Sequence, residues 1–198
     1  MLKLGITGGI GSGKSTACRL FELSGIPVYY ADTRAKALMN EDVPLRKALI
    51  KTFGEEVYTA QQELNRTHLS ALVFNNPTKL QQLNALVHPA VAKDYDRWHK
   101  QQKNVPYTLK EAALLFESGS YKKLDAVIVV NSPLELRIAR TMQRDGSSRE
   151  AILQRINNQL SDKERNRLGQ YFLQNDEEHS LIEQVVKLHQ QLLAQSAG

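Results

Sequence analysis

A single cysteine, Cys18, stands in the 198 residues, so no internal disulfide can form. Its place among Ala17, Leu20 and Phe21 reads as a small buried residue, with a reactive thiol as the weaker alternative. Long hydrophobic runs are missing as well. The longest, AALLF at 112–116 and AVIVV at 126–130, fall far short of the roughly 20 residues that a membrane-spanning helix needs. The opening MLKLGITGG has one lysine followed by glycines where a secretory leader would have an unbroken apolar stretch, so a cytoplasmic location is expected. No run of five or six basic residues occurs, and aromatics do not interleave with the arginines, which argues against a nucleic-acid partner. Internal repeats and low-complexity tracts are absent too.

What is present is a net charge of +5 and a pI near 9.3. Arg137, Arg140, Arg144, Arg149, Arg155, Arg165 and Arg167 crowd into 137–167, and a small polyphosphate suits such a cluster better than a nucleic-acid stripe does. Solvated helix faces are the plainer reading of any one of them. The length suits one large domain, or a core with an insertion.

Strand-like and helical stretches alternate along the chain. Residues 2–6 and 26–30 read as short strands around a helix from Lys14 to about Leu23 that ends at Gly25. PYTLKEAALLF (106–116), DAVIVV (125–130) and QYFL (170–173) extend the series to five strands. Right-handed crossovers would place helices on both faces of a parallel, doubly wound sheet. Residues 33–104 look almost wholly helical, with turns expected at Asn76-Pro77 and His88-Pro89, and read as a helical insertion beside the sheet. A second, charged insertion at 144–167, with caps at Ser147 or Ser148 and at Ser161, is expected to be mobile.

GITGGIGSGKST (5–16) is the most specific signal. Gly8, Gly13, Lys14 and Ser15 satisfy GxxxxGKS between a strand and a helix, as a phosphate loop requires. Amides of Gly9, Ile10, Gly11, Ser12 and Gly13 and the helix N-terminus would form an anion site. Lys14 would reach the β- and γ-phosphates, Ser15 a magnesium ion, and Thr16 the α-phosphate. The chain is therefore read as a P-loop nucleotide-binding α/β protein that takes ATP with Mg²⁺.

Ligands of open α/β sheets bind at the C-terminal ends of strands, which singles out two carboxylates. Asp32, expected beside the first strand, is either a functional base or the N-cap of the following helix. Glu111 is either a second magnesium ligand or an outward edge residue paired with Lys110.

Beyond these residues, nearly the whole chain resembles the dephospho-coenzyme A kinase family. The resemblance is carried by GITGGIGSGKST, by ADxxAK at 31–36, by LVHPAV at 86–91 and by ALLFES at 113–118. It continues in RTMQRDG at 140–146, in AILQRINNQ at 151–159 and in the NxxxHSLIEQVVKLH ending. It implies transfer of the γ-phosphoryl group of ATP to the ribose 3′-hydroxyl of dephospho-coenzyme A. It implies a nucleotide core at 1–32, 105–143 and 168–198, an acceptor-binding insertion at 33–104 and a lid at 144–167. Asp32 would be the base, with Lys36, His88, Leu114 and Glu117 on the acceptor side; Arg140 and Arg144 would face the phosphates and Asn175 the adenine. His88, before a proline at an expected helix start, also suits a cap or a packing role. The chain departs from the family pattern at Tyr30, where a second aspartate is frequent, at Lys36, where an arginine is, and at Ala113, where a proline is. A nucleoside or nucleotide kinase is the rival within the same core. A GTP-dependent switch lacks its NKxD motif, and a nucleic-acid-stimulated ATPase would rest on the basic pI alone.

Overall fold

The computed structural model describes residues 1–74 and 76–196. Five strands form one sheet: β1 (Leu2–Thr7), β2 (Val28–Tyr30), β3 (Tyr107–Glu111), β4 (Ala126–Asn131) and β5 (Tyr171–Gln174). Their order is β2-β3-β1-β4-β5 and every neighbouring pair is parallel. All five C-terminal ends therefore lie along one edge.

The alternation of side chains along each strand decides what covers the sheet. Leu4 and Ile6 of β1, Tyr107 and Leu109 of β3, Ile128 and Val130 of β4 and Leu173 of β5 share one face. Ala17, Cys18 and Phe21 of α1 (Lys14–Leu23) and Val185, Leu188 and Leu192 of α9 (Leu181–Ser196) bury that face. On the other face a Cβ at Gly5 would strike Leu115 and Leu124, so the chain after β3 lies directly against β1. The helix α8 (Asp162–Leu168) packs on β4 beside it. A five-stranded parallel sheet with helices on both faces is thus observed.

Two strand expectations change. β2 is only Val28–Tyr30, and β3 stops at Glu111 instead of running to 116. AALLF leaves the sheet after Ala112 donates its N–H to Ile6 O at 3.3 Å, and Leu115 folds beneath β1. An apolar run satisfies either role, because both bury it.

Beyond β4, α6 (Leu134–Asp145), α7 (Arg149–Asn157) and α8 follow in close succession. Ser148 caps α7 through Ala151 N–H, and Ser161 and Glu164 form a capping box on α8, as the sequence predicts.

The chain divides into two compact units, Met1–Tyr30 with His99–Gly198, and Ala31–Trp98. The second consists of α2 (Ala31–Glu41), α3 (Val43–Phe53), α4 (Arg66–Phe74) and most of α5 (Pro77–Gln101). Leu38, Leu45, Leu49, Val57 and Leu69 are buried in it. Buried Asp94 accepts from Arg34 Nε at 3.0 Å and from Arg97 Nη2 at 2.9 Å. Asn76 Oδ1 accepts from Lys79 N–H and Pro77 opens α5, so the first expected turn is a helix start.

The second expected turn is overturned: α5 runs straight through Pro89. Val87, Val91 and Tyr95, four residues apart, are buried on both sides of the proline. Their burial offsets the roughly 3 kcal/mol that proline costs inside a helix.

Cys18 is fully buried against the sheet, and desolvation, followed by the charge of Glu111, pushes its thiol well above the usual cysteine range. A thiol reagent such as DTNB should leave the native protein unmodified over minutes and titrate one thiol per chain in denaturant; rapid native labelling would contradict the packing of α1.

Candidate phosphate-binding site

β1 is the central strand, and its C-terminal end feeds the loop Gly8–Gly13 into α1. Ser12 N–H closes a turn onto Gly9 O at 3.1 Å. Gly11 and Gly13 have φ of 75° and 89°, a region that side chains disfavour. The loop is also tightly walled: a Cβ at Gly8 would lie 2.4 Å from Val130 O, and one at Gly13 would lie 2.0 Å from Asn175 Nδ2. The N-terminus of α1 carries no side-chain cap and no acidic residue in its first turn, so its amides and the positive end of its dipole have no competing anion from α1 itself. Lys14 Nζ donates to Gly8 O at 2.9 Å and Gly9 O at 3.2 Å, folding the cation back over the loop. Ser15 and Thr16 lie exposed in the first turn of α1.

Side chains from three later segments brace this loop. Asn175, just after β5, donates Nδ2–H to Ser12 O at 2.9 Å. Arg140 of α6 donates from Nη1 to Asn175 O at 3.1 Å and to Ser132 Oγ at 3.2 Å. Gln159 Oε1 accepts Ile10 N–H at 3.0 Å. Asn175 and Arg140 are therefore brought to the loop. The turn that follows Asn175 is fixed by Asp176, which accepts from His179 N–H and ring and whose carboxyl is held at about 2 by them.

Arg144 points elsewhere. Its side chain is exposed and grips Asp145 through Nε at 2.6 Å and Nη2 at 3.0 Å. That pair and Arg155 hold the Asp145 carboxyl at about 2. Glu117 accepts Leu160 N–H at 2.9 Å, which ties the segment after β3 to the start of α8, and Leu114 is largely exposed.

Glu111 ends β3, an inner strand, in register with Ile6 on one side and Tyr30 on the other. It is 8% exposed. The edge-residue reading is thereby overturned, and Lys110, one residue earlier, projects to the opposite face. The charge of Glu111 adds to burial in raising the Cys18 thiol, which fits a carboxylate on the α1 face.

Asp32 and Lys36 are exposed on α2, in the helical unit, and His88 is exposed within α5. β3 separates β2 from β1, so Asp32 does not follow a strand adjacent to β1 as expected. Nor is it an N-cap: α2 begins at Ala31 and Asp32 lies in its first turn. The cap role expected for His88 at a helix start falls, because α5 runs through it.

Arg137, Thr141, Gln159 and Asp162 were missed from the sequence as parts of this site. Thr141 Oγ1 and Arg137 O both crowd the position a Cβ would take at Gly11. Their signal was available: 137, 141 and 144 repeat at helical spacing along α6.

The strand order, the parallel register and the GxxxxGKS loop at the end of the central strand define a P-loop nucleotide-binding protein. Comparison with known proteins narrows this class. The family described as dephospho-CoA kinase matches residues 2–180, and the chain belongs to that family. A dephospho-CoA kinase from Bacteroides fragilis is 39% identical over 187 residues, covering 94% of this chain and 91% of the relative. A solved structure from Thermus thermophilus is 32% identical with a TM-score of 0.83 and covers 98% of this chain and 97% of its own. The dephospho-CoA kinase from Campylobacter jejuni is 28% identical with a TM-score of 0.71, each chain being covered to 97%.

Because a methyl group at Gly13 would collide with the Asn175 amide and sit at a φ of 89°, Gly13→Ala should abolish detectable ADP binding in calorimetry while the sheet still folds. Retained affinity would show that the loop can relax away from Asn175.

Proposed function

We propose that the protein transfers the γ-phosphoryl group of ATP to the ribose 3′-hydroxyl of dephospho-coenzyme A, the last step of coenzyme A formation. The observation that carries the reading is a phosphate loop whose helix brings no acid or cap of its own, in a chain that matches the dephospho-CoA kinase family over residues 2–180. ATP-dependent kinase chemistry asks the protein for positioning and for charge neutralisation, since negative charge spreads over the transferring oxygens.

The chain's residues divide that work. Lys14 exchanges its two carbonyl partners for the β- and γ-phosphate oxygens. Arg140 and Arg144 supply further positive charge; Arg144 gives up only an exposed pair with Asp145, which costs little in water. Asp32 accepts the proton of the acceptor hydroxyl, with Lys36, His88, Leu114 and Glu117 contributing to the acceptor's site. Asn175 lies toward the adenine. Residues 33–104 bind the acceptor, and 144–167 act as the lid that excludes water, its moving part ending before Gln159, which is bonded to Ile10 of the loop.

Ser15 and Glu111 fit magnesium by donor chemistry, one hydroxyl from the first turn of α1 and one buried carboxylate from the end of β3, the strand beside β1. Magnesium takes most of its ligands from water and phosphate, so the lack of a three-residue cluster of His, Cys, Asp or Glu among the described residues agrees with such a site. Bound there, it would neutralise charge on the β- and γ-oxygens. The cytoplasm is the proposed location; among the described residues no helix is long and apolar enough to cross a membrane.

The test is incubation with ATP, Mg²⁺ and a panel of dephospho-coenzyme A, nucleosides and nucleoside monophosphates. Dephospho-coenzyme A should gain the phosphate, and turnover of a nucleoside alone would overturn the reading. Lys14→Ala should remove turnover by at least about 10²-fold at an unchanged Tm, because the lysine meets the transferring group and packs in no core. Asp32→Asn separates base from bystander. An amide accepts no proton, and general-base catalysis contributes roughly 10²- to 10⁴-fold, so kcat should fall by that order. Acceptor binding and Tm should change little, since Asp32 is exposed in the first turn of α2; an enzyme that keeps most of its kcat would remove Asp32 from the chemistry.

A further inference from the structure

Beneath the phosphate loop lies an arginine for which the mechanism above has no use. Arg137 of α6 is only 3% exposed, an unusual fate for a guanidinium. Its Nη1 would lie 1.8 Å from a Cβ on Gly9 and its carbonyl oxygen 2.3 Å from one on Gly11, so side chain and backbone together back two successive glycines of the loop. Its Nη2 donates to Asp162 Oδ2 at 2.7 Å. Asp162 Oδ1 in turn accepts from Arg165 Nη1 at 2.6 Å, and Arg165, itself 2% exposed, donates from Nη2 to Leu160 O at 2.7 Å. Gln159, the residue before Leu160, accepts Ile10 N–H. The contacts close a ring from Gly9 through Arg137, Asp162, Arg165 and Leu160 to Gln159 and back to Ile10. Leu160 N–H is meanwhile held by Glu117, so the ring is anchored to the segment after β3.

Two features argue that this ring serves the loop rather than the core. A buried charge is tolerated only when paired, and an apolar side chain of the same length would fill the space at lower cost. The Arg137 Nε, moreover, is buried with no partner, as is Ser12 Oγ of the loop itself. With two guanidinium groups and one carboxylate, the ring keeps one net positive charge close behind an anion site.

We propose that Arg137, held by Asp162, is a positioning residue that keeps Gly9–Gly11 in nucleotide-binding curvature before the nucleotide arrives. The proposal rests on the reading of the loop as a nucleotide site. It deepens that reading by assigning the start of α8 a part in donor binding.

The experiment is calorimetric titration of the whole protein with ADP, which needs no acceptor, alongside KM for ATP, KM for the acceptor, kcat and Tm. Arg137→Met, of similar length, should weaken ADP binding about tenfold, as coupled contacts of this kind do. KM for ATP should rise with it while KM for the acceptor stays put. Arg137→Lys should recover part of the affinity, because an ammonium reaches Asp162 but lacks the planar fork. Asp162→Asn should act in the same direction, and the double variant Arg137→Met/Asp162→Asn should bind ADP no worse than Arg137→Met alone. A lowered Tm with unchanged ADP affinity would overturn the proposal, and so would additive losses in the double variant. Should Arg137→Met fail to fold, Asp162→Asn decides, since Asp162 is half exposed and its removal leaves no cavity; unchanged affinity there overturns it equally. A wild-type protein that binds ADP but leaves dephospho-coenzyme A unphosphorylated would fail the functional reading and leave every ADP comparison standing.

Discussion

An anion held by backbone amides needs those amides within hydrogen-bond distance, and the backbone that brings them there has no room for side chains. The rest of the first unit follows from that constraint. Gly8 rests on the carbonyl of Val130, Gly9 and Gly11 on Arg137, and Gly13 on Asn175, so the loop's outer surface is filled by atoms from β4, α6 and the end of β5. Each of these elements is in turn fixed by the sheet. Val130 is a core residue of β4 and Asn175 donates its backbone N–H to Asn131 O, which carries the position of the sheet's C-terminal edge into the loop. Preorganisation of this kind removes an ordering cost that ligand binding would otherwise meet.

The same constraint sorts the arginines of α6. Arg137 is enclosed, Arg140 bridges Ser132 and Asn175 while half-covered, and Arg144 is exposed with Asp145. Proceeding along the helix, the guanidinium groups pass from a wall of the loop to a solvent-exposed pair. Desolvation lowers the pKa of Arg137 although Asp162 opposes the shift, whereas its carboxylate partner raises that of Arg144. One helix thus holds an enclosed cation and an exposed one seven residues apart, distinguished by their burial and by the carboxylate each one meets.

Much of this was legible in the sequence, for reasons that also explain what was not. β1, the loop and α1 follow from local rules, since glycine positions, a lysine and a serine at fixed spacing define the turn without help from distant residues. The five strands and the helical stretch 33–104 follow from periodicity. The end of β3 does not, because AALLF buries equally well as strand or as cover beneath β1, and only the contact of Leu115 with Gly5 decides. Pro89 reads as a breaker until Val87, Val91 and Tyr95 are seen to be buried around it. Strand order is a property of the whole sheet, so Asp32 was set beside β1 when β3 lies between. Arg137 was hidden among seven arginines of similar spelling, and its partner Gly9 is remote in the chain.

Unsatisfied polar atoms complete the picture of where this chain departs from ordinary packing. Buried side-chain donors and acceptors without partners are rare in folded proteins, and each costs about 1–3 kcal/mol. Among the described residues, such atoms are Ser12 Oγ, Arg137 Nε and Asn166 Oδ1, and the first two belong to the phosphate loop and its backing. A sequence selected for stability alone would replace both by apolar groups of similar size. Sites that break local rules while the surrounding core obeys them are where function constrains the chain. The fully buried Ile6, Phe21, Leu109 and Ile128 provide the stability that lets the first unit keep a tightly walled glycine turn and an incompletely paired cation behind it.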